Sequence, residues 1–113
     1  MTTDCIFCGI LAGKIPTEKV HEDEHCFAFD DINPQAPTHV LICPNQHIES
    51  LKSATAEHEA TLGRLLMAAA TLAKARGLES YRTVINTGPG AGQSVFHVHL
   101  HLLGGRTLTW PPG

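Results

Sequence analysis

The segment "HVHLHLL", His97 to Leu103, constrains this chain of 113 residues more than any other. Its histidines alternate with Val98, Leu100 and Leu102, and a period of two describes a strand, whose successive side chains point to opposite faces. One face then carries three imidazoles, and the other carries an apolar row that needs a core beneath it. Imidazoles two residues apart are rooted about 6.7 Å apart, from a rise of roughly 3.3 to 3.4 Å per residue. Two of them can share one metal ion, while three converge less easily. A neutral imidazole can instead attack a substrate directly, because its lone pair is free near neutral pH and needs no base. A nucleophile of that kind needs its other nitrogen held as a donor, typically by a carbonyl.

The residues before this strand favour a phosphate. "NTGPGAGQS", Asn86 to Ser94, joins three glycines and a proline to amide and hydroxyl side chains. Glycines let backbone N–H groups approach an anion and form a concave cradle. The alternative is a plain hairpin loop. No GxxxxGK[ST] run is present, so this is not a P-loop, and with no lysine in the loop a triphosphate clamp is poorly supplied.

The rest of the chain supports one α+β domain, spanning residues 1–113. "HCFAFDDI" and "THVLICP" read as strands separated by the turn "NPQAP", and "YRTVINTG" and "VFHVHLHLL" read as two more. "IPTEKVHEDE" is polar connection with room for one short strand. Leu62, Leu65, Leu66, Ala69, Leu72 and Ala73 recur at helical spacing within Thr55–Arg76, which Gly77 ends. Asp4 is placed to cap a short helix through "CIFCGILAG", with Gly13 as its stop. The fold expected is an antiparallel sheet of about five strands with two helices.

Charge sets further limits. A net charge of −3, with no basic run, argues against nucleic acid as a partner. No apolar stretch is long enough to span a membrane and no secretory signal is visible, so a cytoplasmic protein is expected. Of the four cysteines, Cys26 and Cys43 lie in apolar runs and read as small buried hydrophobes. Cys5 and Cys8 form "CIFC", a spacing that in a reducing compartment suits either a metal or two partly buried thiols. His21, His25 and His58 lie in polar surroundings and read as surface residues.

"HVHLHLL" matches the signature His-φ-His-φ-His-φ-φ, with φ apolar, and the chain resembles the histidine triad (HIT) superfamily over nearly its whole length. "DDINPQAPTHVLICP" and "INTGPGAGQSVFHVHLHLLGGR" share in the resemblance, and "GGRTLTWPPG" is similar to the ending of the Hint branch, whose members are purine nucleoside phosphoramidases. The resemblance implies that His99 attacks the α-phosphorus to form a nucleotidyl-histidine, which water hydrolyses to a nucleoside monophosphate. It implies that His101 contacts the phosphate or leaving group, that His39 hydrogen-bonds within the cluster, and that Asp31 takes the ribose hydroxyls. Asn86, Gly92, Gln93 and Ser94 match groups around ribose and phosphate, with Ser94 also stabilising the reacting phosphate. Ile6, Phe7, Ile10, Phe29 and Ile32 match an apolar slot around the purine, the alternative for each being plain core.

The resemblance also implies a homodimer whose sheets join through the last strand and the long helix, with Trp110 reaching toward the partner's site. "CIFC" departs from the animal Hint pattern and is similar to bacterial members, in which Cys5, Cys8, His47 and His97 would bind a structural zinc ion. A Cys₂His₂ set closes a tetrahedral shell. No organic cofactor is expected. The expected substrates are AMP or GMP conjugates. Three other readings stay open: dinucleoside polyphosphate hydrolysis or nucleotidyl transfer, a non-catalytic purine-nucleotide-binding module, and a metalloenzyme using the histidine strand as its zinc site.

Overall fold

The structure, a computed structural model, describes residues 5–113. Its strands follow the alternation of the sequence: β1 (Lys19–Glu22), β2 (Cys26–Asp30), β3 (Thr38–Pro44), β4 (Tyr81–Val84) and β5 (Leu100–Gly104). They form one antiparallel sheet in the order β1-β2-β3-β5-β4. Helix α1 (Ile6–Leu11) lies on one face and α2 (Glu59–Ala75) on the other.

All seven residues of β3 are buried, because both faces of the central strand are covered. Val40 and Ile42 face α2 and pack with Val98, Leu100 and Leu102 against Leu65, Ala69 and Leu72. Leu41 and Cys43 face α1 and pack with Phe27 and Phe29 against Phe7 and Ile10. Cys26 and Cys43 are fully buried, as their apolar runs imply.

The long helix is shorter than the expected Thr55–Arg76. Its first turn is a separate 3₁₀ turn, Ala56–His58, whose Thr55 hydroxyl accepts from Glu57 N–H while the His58 Nδ1 accepts from Thr55 N–H. At the other end the Leu78 and Gly77 amides bond back to Ala73 and Lys74, closing a Schellman motif around Gly77 at φ +68°. In α1 the capping residue is Cys5, whose Sγ accepts from Cys8 N–H. Asp4, expected in that role, lies outside the described residues.

Two strand boundaries differ from the sequence reading. "YRTVINTG" pairs only over Tyr81–Val84. The histidine strand, expected from Val95, joins the ladder only at Leu100. Its partner β3 ends at Pro44, which has no N–H to offer, and the Pro44 carbonyl accepts from the His97 Nε2–H at 2.8 Å instead. His97 to His99 therefore lie outside the ladder, with His97 in a bend and Val98 N–H on the Ile48 carbonyl at 2.7 Å.

The implied dimer joint also needs correction. The last strand, β5, has β3 on one side and β4 on the other, so it has no free edge for a second sheet. The edges of the sheet are β1 and β4. No helix among the described residues is long and apolar enough to cross a membrane.

After β5 the chain turns sharply over the "NPQAP" loop. Gly105 has φ +92°, and a Cβ placed there would lie 2.9 Å from Pro37 Cβ. Strain and close contact together set the expected cost of Gly105→Ala at about 1–3 kcal/mol of stability. Chemical denaturation of the variant measures it, and a loss below about 0.5 kcal/mol, the range of ordinary surface substitutions, would show that the tail is not clamped there.

Candidate functional site

The rings of His97 and His99 both meet Phe7 and that of His101 lies beside His99, yet each ring has a different anchor, and each anchor fixes which nitrogen carries the proton. A carbonyl oxygen can only accept. The His99 Nδ1 lies 2.8 Å from the His97 carbonyl, so Nδ1 is protonated and Nε2 keeps its lone pair. The His97 Nε2 donates to Pro44 O, so its lone pair is on Nδ1. On β3, the His39 Nδ1 accepts from Gln35 N–H at 3.0 Å, which leaves the proton on Nε2. That Nε2–H donates to His101 Nδ1 at 2.9 Å, with the Asp31 carboxylate 3.4 Å away. The His101 proton is then on Nε2, a buried position with no hydrogen-bond partner among the described residues.

The row thus presents a lone pair on His99 and, on the neighbouring ring 5.0 Å away, an unsatisfied donor on His101. An unpartnered buried donor is costly in a folded protein and marks a place where something else must bond. Burial keeps both rings neutral. It lowers His99 below the usual histidine range, and it pushes His101, with the charges of His99 and His39 adding to it, down to about 4. Phe7 of α1 stands edge-on to both His97 and His99 and so fixes their ring planes.

The His97 Nδ1 points the other way, into a cluster with Cys5, Cys8 and His47. Its distance to Cys5 Sγ is 3.3 Å, to Cys8 Sγ 3.6 Å and to His47 Nδ1 3.2 Å, and Cys8 Sγ lies 3.4 Å from His47 Nδ1. Tetrahedral zinc with its ordinary bond lengths has N···N edges of about 3.3 Å and N···S edges of about 3.6 Å. The four donors lie within 4.8 Å of one another, these four edges match that size, and the soft-donor set fits zinc. Burial lowers the His97 pKa, which keeps its lone pair available.

The glycine loop departs from the expected anion cradle. The Gly88 N–H donates to Gln93 Oε1, the Ala91 and Gln93 amides to Gly88 O, and the Gly92 amide to Pro89 O. Four of its N–H groups are thus satisfied within the loop itself. Gln93 is buried, and its Nε2 donates to Glu49 O and Val95 O. Every donor of Gln93 is engaged in bracing the loop, so it has none to offer a nucleotide. Ser94 remains exposed, and Asn86 is half-buried beside Gly92. Asp31 sits in the turn before β3, one oxygen accepting from Asn33 N–H. Of the apolar residues assigned to a base slot, Ile6 and Ile32 are exposed, Ile32 almost completely, whereas Phe7, Ile10 and Phe29 belong to the core.

The HIT domain family matches residues 12–108. The chain belongs to that family. A 14 kDa zinc-binding protein of Zea mays is 52% identical over 111 residues, covering 96% of this chain and 87% of the relative. The crystal structure of a HIT family hydrolase from Legionella pneumophila superposes with a TM-score of 0.95 at 49% identity, covering 97% of this chain and 100% of that one. A histidine triad nucleotide-binding protein from Candida albicans superposes with a TM-score of 0.81 at 34% identity, covering 96% and 83% of the two chains.

Three groups in this HIT protein escaped the sequence reading. Two are backbone atoms, Gln35 N–H and Pro44 O, and no side-chain motif announces a backbone partner. The third is Lys52, whose Nζ lies 3.9 Å from where a Cβ on Gly88 would stand, so a cation reaches the glycine loop from a distant segment. His21, expected as a surface residue, is half-buried and pairs with Asp23, which caps the turn into β2.

Acid should weaken this fold in a defined window. The folded-state pKa of His101, about 4, lies below the 6.5 of an unperturbed histidine, so the unfolded chain binds the proton first. Its contribution to stability is full above pH 6.5 and declines as pH falls toward 4, by at most about 3 kcal/mol. Denaturation curves between pH 7 and 4.5 should show this slope, and His101→Asn should flatten part of it. An unchanged slope in the variant would mean that His101 titrates like an unfolded histidine.

Proposed function

We propose that this HIT protein is a nucleotide hydrolase that acts at the α-phosphorus of purine nucleoside phosphoramidates or related nucleotidyl conjugates. The observation that carries the reading is the bond from His99 Nδ1–H to the His97 carbonyl, which leaves Nε2 as a lone pair beside the unsatisfied His101 Nε2–H. In the first step His99 Nε2 bonds to phosphorus as the bond from phosphorus to the leaving nitrogen breaks. The His101 Nε2–H donates a hydrogen bond to the departing nitrogen, which takes its proton from solvent water. The positive charge gained by the His99 ring strengthens its bond to the His97 carbonyl. In the second step a water oxygen bonds to phosphorus, the bond to Nε2 breaks, and the surplus proton of the water passes to solvent, so that His99 and His101 both end neutral. Ser94 bonds to the phosphate oxygens, Asp31 accepts from the ribose hydroxyls, and the exposed Ile6 and Ile32 cover the base. Gln93 contributes by keeping the loop in shape.

Two other features belong to the same reading. Cys5, Cys8, His47 and His97 would hold a structural zinc ion, which closes the shell and supplies no open position for chemistry. The chain would act as a homodimer joined at the free edge of β4 and the α2 face that exposes Leu66 and Met67, with Trp110 near the partner's site.

His99→Ala should lower the release of AMP from an adenosine phosphoramidate by at least about 10³-fold while nucleotide binding changes little. Intact mass after brief exposure of the parent protein to an activated adenylate should show one added nucleoside monophosphate group, absent from the variant. Turnover by His99→Ala at the parent rate would exclude the mechanism. Release from diadenosine polyphosphate in preference to the phosphoramidate would favour the polyphosphate branch of the superfamily.

Elemental analysis should find one zinc ion per chain. Cys8→Ser should lose it and lower the melting temperature by at least about 5 °C, the shift that a loss of 1 kcal/mol gives in a domain of this size. A protein that holds no zinc and melts unchanged after chelation would remove the zinc reading while leaving the histidine chemistry in place.

A further inference from the structure

The ending "GGRTLTWPPG" carries one contact that the proposed chemistry does not yet use. Arg106 is exposed, and its guanidinium bonds to two backbone carbonyls, Nε–H to Gln35 O at 3.0 Å and Nη1–H to Thr107 O at 3.0 Å. Gln35 is the residue whose own N–H holds the His39 Nδ1. The chain from Arg106 to the site is therefore short: Arg106 to Gln35, Gln35 to His39, and His39 Nε2–H to His101 Nδ1. Only the last two links are imidazoles, and each can exist in two neutral tautomers.

The His39 tautomer is held at Nε2 by the Asp31 carboxylate, 3.4 Å away, and at Nδ1 by the N–H of Gln35. If that N–H swings away, His39 can carry the proton on Nδ1 and present a lone pair at Nε2. His101 would then turn its Nδ1 proton toward His39 and expose a lone pair, not a donor, where the leaving group departs. Gln35 is exposed in its loop, where its side chain donates to the Asn33 carbonyl and Arg106 holds the Gln35 carbonyl, one peptide group beyond the N–H. The Gly105 turn brings Arg106 onto that loop by letting the tail lie against Pro37. The register then completes the link, since Leu41 is opposite His101 and His39 opposite Leu103, so the clamp joins the two strands that carry the pair.

We propose that Arg106 is a positioning residue that, through the Gln35 backbone, fixes the tautomers of His39 and His101 and so keeps the His101 Nε2 proton aimed into the site. Its role in turnover rests on the hydrolase reading above, whereas the tautomer it sets does not.

The experiment uses the full chain labelled with ¹⁵N-histidine, at a pH above the titration of all its histidines, with long-range ¹H–¹⁵N correlation reporting the tautomer of each ring. In the parent, His39 and His101 should both carry the proton on Nε2. In Arg106→Ala, His101 should become a mixture of tautomers, and kcat should fall about 10- to 100-fold with KM within about twofold. Parent-like tautomers in the variant overturn the proposal, whether activity is retained or is lost in step with thermal stability. If Arg106→Ala does not fold, Arg106→Gln is read by the same criteria, and a parent His39 protonated on Nδ1 overturns the proposal without any variant. A parent that shifts tautomer on substitution yet hydrolyses no phosphoramidate would reject the hydrolase reading and keep Arg106 as the clamp.

Discussion

The hydrogen bond from His97 Nε2–H to the Pro44 carbonyl organises the site. It ends the ladder between β3 and the histidine segment, because the carbonyl it uses is the one a continuing strand would need. It aims the His97 Nδ1 at Cys5, Cys8 and His47. It also fixes the backbone of His97, whose carbonyl sets the proton of His99. One imidazole thus stands between a cluster of soft donors and the free lone pair of His99, and it serves each with a different atom. Three residues that look equivalent in the sequence are made unequal by what lies opposite each ring.

Much of the scaffold could be read directly. "THVLICP" is β3 to the residue, since a run apolar on both faces describes a strand covered on both sides. The apolar spacing of Leu62 to Ala73 located α2, and Gly77 ended it. The Cys5, Cys8, His47 and His97 cluster came from resemblance, because residues so far apart in the chain share no local pattern. Tautomers were not legible, because Gln35 N–H and Pro44 O are backbone groups that any residue type could have supplied. The glycine loop misled for a related reason. Its composition suits an open cradle, but the amide of Gln93, in the same loop, turns inward and fills it.

The two faces of the sheet divide the work. The α2 face is a continuous apolar core that gives the strands their positions. The α1 face carries Phe7, Ile10 and Phe29 as a smaller core and sets the histidine row at its margin. Phe7 belongs to both, packing on Phe29 while holding the edges of His97 and His99. A residue that reads as plain core is therefore also part of the support of the site, and the two roles do not compete.

The inward amide of Gln93 bears on the heat of binding. A segment with three glycines ordinarily has much freedom to lose when it closes on an anion. Here the chain itself holds the loop shut before any ligand arrives, so the ordering has already taken place during folding. Calorimetry of a nucleotide entering this site would then register little ordering of the loop, and the entropy of association would come from solvent and ligand.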